Sequence, residues 1–390
     1  MYEIENKVFK DPLYGYVRVD RDLISDLIDT KEVQRLRRIK QLAGVSMVFH
    51  IAEHTRFSHS LGTYELLRRI IEGVYELKNG MSEYEKVVML SAGLLHDLGH
   101  GPYSHAFEHT FGVNHEHQTV AIILGDTEVN RVLKNYDPSL PSDVAGVIEH
   151  KGKFPIIESL VSSQLDADRL DYLKRDAYFT GANYGDIDTD KLIRGMAVRN
   201  NKIVFKHKSV HTIEDFLMSR YHMYWQVYFH PVAKAYEHLL EMVYKRIKYL
   251  VLNRYELEAN VDMIRRVLFD KNDLEAYIEL DDYYVNGVIK QLQFSKDEIL
   301  SDLCKKILNR KLFNSASIKE KDRILKNYKY DKEYYFVEDD ITKSAYDEDD
   351  SQIQILTEDN KLMPLLNYSP VVKGFSLGSH KEERLIFYYD

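Results

Sequence analysis

A mainly α-helical fold with a short β-hairpin and a small β-containing C-terminal region is what this 390-residue chain predicts. Three observations carry that expectation. Apolar residues recur at helical spacing through most of the first ~330 positions. Capping residues and glycines fall at the ends of those stretches. Strand-like runs are confined to one pair around Asn200 and Asn201 and to short runs after position 350, with one extended piece near the start.

In order along the chain, KVFKDPLYGYVRV reads as that extended piece, punctuated by Pro12 and Gly15. Leu23, Ile24, Leu27 and Ile28 then mark a helix, and Thr30 is placed to cap the next one in TKEVQRLRRIKQL. From 57 to 77 the apolar stripe is Leu61, Leu66, Leu67, Ile70, Ile71 and Val74. Ser82 opens another helix whose buried face is Val87, Val88, Leu90, Leu94 and Leu95, and Gly99 and Gly101 terminate it. Helical patterns recur at 115–124, 141–150 and 157–180. MAVRNNKIVFKH reads as a hairpin, after which helices resume from about 211 to 328, with a long one through 236–251. In the tail, the acidic run 338–350 reads as a solvated loop, and QIQIL, PVVKGFSL and RLIFYY as strands. The expected division is 1–200, 201–330 and 331–390.

Bulk properties narrow the function. A net charge of −9 argues against broad nucleic-acid binding, which needs a basic surface, although a local groove can differ from the total. The single cysteine, Cys304, excludes an internal disulfide and fits a reducing compartment. The first residues have no apolar core of a signal peptide, and no run approaches the roughly 18 to 20 apolar residues of a membrane span. A cytoplasmic protein is expected.

Nine of the 16 histidines fall between positions 50 and 117, and HDLGHGPYSHAFEH stands among them. His96 and Asp97 adjoin at the end of an apolar helix, where an unpaired carboxylate is costly unless it meets a partner or a metal. His59 in RFSHSLG, at the start of the preceding helix, and Asp168 in LDADRLDYLKRD complete a four-residue ligand set. Imidazole and carboxylate suit a divalent ion, leaving Mg, Mn, Fe or Zn open. Four ligands from three helices leave positions free for hydrolytic chemistry.

RFSHSLG, HDLGHGPYSH and DADRLDYLKRD together resemble the HD-domain superfamily, and within it the deoxynucleoside triphosphate triphosphohydrolases of the SAM-and-HD-domain and bacterial dGTPase-like type. The motifs span 56 to 176, and flanking likeness extends from about 7 to 230, with no sterile-alpha-motif region before the helical core. The resemblance implies an HD-domain helical core in which His59, His96, Asp97 and Asp168 hold the metal. It implies further that His100, His105 and His115 are active-site histidines, with Glu108, three residues after His105, orienting the imidazole that protonates the leaving 5′ oxygen. Arg56, Arg169 and Arg220 match triphosphate contacts, Arg169 standing where the vertebrate enzyme has lysine. Gln41 and Leu42 match residues that press on the sugar, and Tyr172, Asp176 and Tyr228 further sugar and phosphate contacts. DTKEVQRLRRIKQL is similar to a segment that binds an activating guanine nucleotide between subunits, through Asp29, Gln34 and Arg37, with Lys7, Lys206 and Lys208 near its phosphates. A dNTP substrate, dGTP or GTP as activator and a homotetramer follow from the same resemblance. Two other readings share these residues: an HD phosphohydrolase of another nucleotide class, or a nucleotide-sensing or nucleic-acid-binding protein with an idle site.

Overall fold

The computed structural model describes residues 7–343, 352–378 and 381–390. It opens on an antiparallel hairpin, β1 (Lys7–Asp11) and β2 (Gly15–Val19), with Asp11 opposite Gly15. Gly15 takes a φ of 76°, which the tight return requires of a residue without Cβ. Next come α1 (Asp22–Asp29), burying Leu23, Ile24, Leu27 and Ile28, and α2 (Lys31–Arg35), where the Thr30 hydroxyl accepts from the Val33 amide at 3.4 Å.

The central body comprises α3 (Arg56–Gly73), α4 (Tyr75–Gly80), α5 (Glu83–Leu95), α6 (His105–Phe111), α7 (His115–Leu124), α8 (Glu128–Tyr136), α9 (Leu140–Ile148), α10 (Pro155–Val161) and α11 (Ala167–Thr180). Ser82 begins α5 with a reciprocal capping box to Glu85. The pattern from 157 to 180 is two helices rather than one. Asp166 breaks it, its carboxylate accepting from the amides of Ser163 and Arg169, each at 2.6 Å, and so starting α11 anew. Because α3 packs against both α5 and α11, the first turns of α3 and α11 meet the end of α5.

Beyond them, α12 (Thr189–Gly195) leads into β3 (Met196–Arg199) and β4 (Lys202–Lys206), joined through Asn200 and Asn201 at φ 52° and 56°. Two left-handed asparagines match the twist of a two-residue hairpin. α13 (Val210–Met223) runs into a π-helical turn, Tyr224–Tyr228, and then α14 (Pro231–Leu252), α15 (Asp262–Phe269), α16 (Leu274–Glu279), α17 (Asp282–Leu292) and α18 (Glu298–Leu308).

Two large apolar cores result among the described residues, beside a small third cluster of Ala197, Val204 and Leu356. Leu27, Leu66, Leu67, Leu90, Leu94, Leu170 and Leu173 belong to the first, and Phe107, Phe111, Leu239, Val243, Tyr277 and Leu303 to the second. Each such side chain contributes on the order of 1.5–3 kcal/mol on burial. The HDLGHGPYSH segment passes from one core to the other, Leu98 lying in the first and Tyr103 in the second.

The tail holds β5 (Asn314–Ser317), β6 (Phe336–Lys343), β7 (Gln354–Leu356), β8 (Leu362–Pro364) and β9 (Lys381–Tyr388). β7 pairs parallel to β4, giving a sheet ordered β3-β4-β7-β8, and β9 sits between β5 and β6. Three expectations are corrected. β5 interrupts the helices expected from about 211 to 328, because Asn314–Ser317 pairs antiparallel with β9. PVVKGFSL is a helix, Pro370–Gly378, because Ser369 caps it by accepting from the Val372 amide at 3.1 Å and Pro370 fits its first turn. The acidic run is not all loop: residues 338–343 lie in β6, where Ile341 is buried while Asp340 pairs with Arg384 on β9, and 344–350 fall outside the described residues. No helix among the described residues is long and apolar enough to cross a membrane.

Candidate active site

His59 sits in the first turn of α3, His96 one residue past α5 and Asp168 in the first turn of α11. Their donor atoms converge: His59 Nε2 is 3.3 Å from His96 Nε2 and 3.0 Å from Asp168 Oδ1. Each imidazole has its outer nitrogen engaged. His59 Nδ1 meets Asp171 at 2.8 Å, and His96 Nδ1 donates to the Gly93 carbonyl at 2.9 Å. Both Nε2 lone pairs are thereby aimed at one point, where they repel unless a proton or cation lies between them. Asp97 flanks that point, 3.4 Å from His96 and 3.8 Å from His59, and it also meets Arg56 at 2.6 Å and His100 Nε2 at 3.4 Å. Burial alone would push the His59 pKa down, but Asp168, Asp171 and Asp97 reverse this and raise it to about 10. Burial likewise opposes ionisation of Asp168, yet its two histidine partners hold it well below the usual carboxylate range. A cation is what this donor set favours, and the residues present fit a divalent metal.

A second group adjoins it. His100 and His115 stack with centroids 4.1 Å apart, and Glu108 lies 2.9 Å from His115 and 3.6 Å from His100. Burial and then the charge of Arg56 hold His100 down to about 3, whereas Glu108 overcomes burial to raise His115. His105, largely exposed, is 3.9 Å from Glu108, so the carboxylate faces His115 more closely than the His105 it was expected to orient. His100, Glu108 and His115 also form a second group of donors able to hold a cation.

Both groups open on one cavity of about 400 Å³. Its wall includes Gln41, Leu42, Arg56, Tyr172, Asp176 and Tyr228. Arg56 is buried and forks onto Ser104 Oγ at 3.2 and 2.7 Å. Tyr228 donates to Asp176 at 2.7 Å, and His54 holds the other oxygen of Asp176 at 2.8 Å. Arg169 and Arg220 are not part of the wall. Arg169 reaches Asp166 at 3.6 Å, and Arg220, 6% exposed, has Nε and Nη1 without a hydrogen-bond partner among the described residues. Of the regulatory residues, Lys7 pairs with Asp29 at 2.5 Å, and Arg37 donates to Gln34 at 2.9 Å while lying over Phe57. Lys206 and Lys208 are exposed at and just beyond the end of β4, and neither joins that group among the described contacts.

Several residues of the site stand outside the candidates named from the sequence, although two of them, Tyr103 and Ser104, lie within HDLGHGPYSH. Tyr103 and Ser104 have φ of 56° and 46°, strained values that turn Ser104 toward Arg56. Asp282, on α17, accepts from the amides of Tyr103 and Lys40 at 2.8 and 2.9 Å, pinning two walls of the cavity from the second half of the chain. Tyr224, Lys234 and Glu237 complete the far side, the first in the π-helical turn.

A His/His/Asp group gathered at the ends of three helices, with an open cavity before it, fits a metal-dependent hydrolase. The HD domain model matches residues 56–176 and a model described as HD associated region matches 187–390, and the chain belongs to the HD-domain family. It is 42% identical to the uncharacterized protein YwfO of Bacillus subtilis over 98% of this chain and 92% of that one. The crystal structure of a phosphohydrolase from Bacteroides thetaiotaomicron superposes with a TM-score of 0.87 at 30% identity, covering 99% of this chain and 100% of that one. A deoxynucleoside triphosphate triphosphohydrolase SAMHD1 homolog of Dictyostelium discoideum is 28% identical over 79% of this chain and 59% of its own length.

Proposed function

We propose that the protein hydrolyses deoxynucleoside triphosphates to deoxynucleoside and inorganic triphosphate, with dGTP or GTP as activator of a homotetramer. The observation that carries this reading is the single cavity whose wall joins the metal-facing donors to Arg56, the sugar-facing pair Gln41 and Leu42, and Tyr172, Asp176 and Tyr228. The similarity to SAMHD1 homologues supports the substrate class.

His59, His96, Asp97 and Asp168 hold the divalent ion, Mg, Mn, Fe or Zn, which supplies charge that favours nucleophilic attack on phosphorus. Arg56 gives its fork to the phosphates. Arg169 and Arg220, which do not line the cavity wall here, extend that grip only on a shift toward the phosphates. Leu42 and Gln41 close on the sugar at the position a 2′-hydroxyl would occupy. Water attacks the α-phosphorus and the bond to the 5′ oxygen breaks. His105, the exposed imidazole on the cavity wall, protonates that oxygen. Glu108 and His115, with His100, form the polar surface beside the attacking water, whose proton passes to solvent. Asp29, Gln34 and Arg37, with Lys7, recognise the guanine effector, and Lys206 and Lys208 meet its phosphates.

The test is product analysis by ion-exchange chromatography after incubation with Mg²⁺ or Mn²⁺ and each dNTP, with and without dGTP. Intact triphosphate plus deoxynucleoside is expected, with dGTP accelerating cleavage of the other dNTPs. Phosphate or pyrophosphate as the only inorganic product sinks the reading in favour of another HD phosphohydrolase. Salt-sensitive binding of single-stranded nucleic acid without turnover would favour the binding protein.

A further inference from the structure

His96 has its outer nitrogen held by a backbone carbonyl, whereas that of His59 is held by charge. Asp171 Oδ2 lies 2.8 Å from His59 Nδ1, and Arg175, one helical turn on, forks onto both oxygens of Asp171 at 2.9 Å. The third nitrogen of Arg175 reaches Asp11 Oδ2 at 2.9 Å, in the N-terminal hairpin. Asp11 Oδ1 in turn accepts from the amides of Leu13 and Tyr14 at 2.8 and 3.2 Å, shaping the hairpin's turn, and the Tyr14 hydroxyl returns to Asp171 at 2.7 Å.

Asp171 and Arg175 have no exposed side-chain surface. Two carboxylates and one guanidinium enclose a net negative charge in the core, which is costly unless a counter-charge is supplied. The group that faces this charge is His59, whose other nitrogen points at the metal position. A cation there completes the balance through the imidazole. Gly62 of RFSHSLG gives an independent sign that the pair is built into α3. A Cβ at that position would lie 1.9 Å from Asp171 Oδ1 and 2.4 Å from Arg175 Nη2. The motif's glycine therefore makes room for the ion pair behind the histidine.

We propose that Asp171, Arg175 and Asp11 are positioning residues that orient His59 for the metal, and that the N-terminal hairpin is thereby part of the metal centre. This rests on reading His59, His96, Asp97 and Asp168 as the metal ligands.

The experiment is Mn²⁺ titration of the full chain by isothermal calorimetry, with thermal unfolding of the metal-free protein measured alongside. Asp168→Asn abolishes binding and locates the pocket. Asp171→Asn weakens Mn²⁺ affinity by about 10- to 100-fold, the usual size of an outer-partner effect on a ligating histidine. Asp11→Asn and Arg175→Lys, which keep the shape or the charge, weaken it by about threefold or more, and they decide the matter should Asp171→Asn not fold. Affinity within about twofold of wild type in the folded variants, with only the unfolding temperature lowered, makes the chain a structural brace and overturns the proposal. If Asp168→Asn binds Mn²⁺ as wild type does, the metal reading itself fails and the proposal goes with it.

Discussion

Two histidine clusters lie side by side in this molecule and are built in opposite ways. Around His59 and His96 every outer nitrogen has a fixed partner, and the donor atoms are pinned before any ligand arrives. Around His100, His105 and His115 one glutamate serves three imidazoles at distances from 2.9 to 3.9 Å, and His105 stands largely exposed. Holding a cation needs lone pairs fixed in direction. Moving a proton to a leaving group needs an imidazole that can reach it. On the proposed function the enclosed cluster is the one that binds and the looser one is the one that moves the proton.

The largest effect that would break this division is expected at Asp97. Asp97→Ala removes a carboxylate from the enclosed cluster and frees Arg56, and both turnover and bound metal fall below detection while the helical circular dichroism is retained. Metal content by mass spectrometry checks it, and an active, metal-loaded variant would misplace the centre. His105→Ala is next. It lowers kcat by about 10² to 10⁴ while metal content is unchanged. Loss of metal in that variant would mean that the two clusters are one.

Much of this site was legible in the sequence because its residues sit in short motifs at element ends. His96 and Asp97 follow an apolar helix that Ser82 opens, and Gly99 after them is where a Cβ would meet the His115 carbonyl at 2.0 Å. Spacing could place those residues at an edge of the core. It could not place Asp282, which pins Tyr103 and Lys40 from 179 and 242 positions downstream, because no local pattern records a long-range contact. The tail misled for a different reason. Val371 and Val372 raise strand propensity, but the Ser369 cap and Pro370 decide the local conformation and make a helix. In β6 the alternation of Asp339 and Ile341, facing partners, with outward Asp340 reads as charge alone until β9 lies beside it.

A smaller effect sharpens the comparison away from the cavity. Asp29 is exposed and paired with Lys7, outside both clusters. In Asp29→Ala the ratio of rates with and without dGTP falls by about fivefold or more, the lower end of ordinary site-to-site coupling. An unchanged ratio in initial-rate assays removes the effector site from that segment.

The smallest effect concerns a histidine with both nitrogens occupied and no lone pair to offer. His238 on α14 meets Glu241 at 3.0 Å and Asp339 of β6 at 2.9 Å, and Lys234, which lines the cavity, approaches the same Asp339. Burial disfavours the charged imidazole, but the two carboxylates prevail and raise the His238 pKa above its ordinary 6.5. A raised folded-state pKa contributes stability fully below the unfolded value and loses it as pH rises through the folded one. Asp339 and Glu241 are shifted down in spite of burial, so their share is present above the ordinary carboxylate range and fades as pH falls through the lowered values. His238→Gln is therefore expected to destabilise by on the order of 1–3 kcal/mol at pH 6, the size of hydrogen bonds to charged groups. The gap in unfolding temperature from wild type should narrow as pH rises above the ordinary histidine value and through the raised one. Calorimetry at pH 6 and pH 9 measures it. A gap of equal size at both values would mean that His238 does not change its charge between them, which overturns the expected pH dependence.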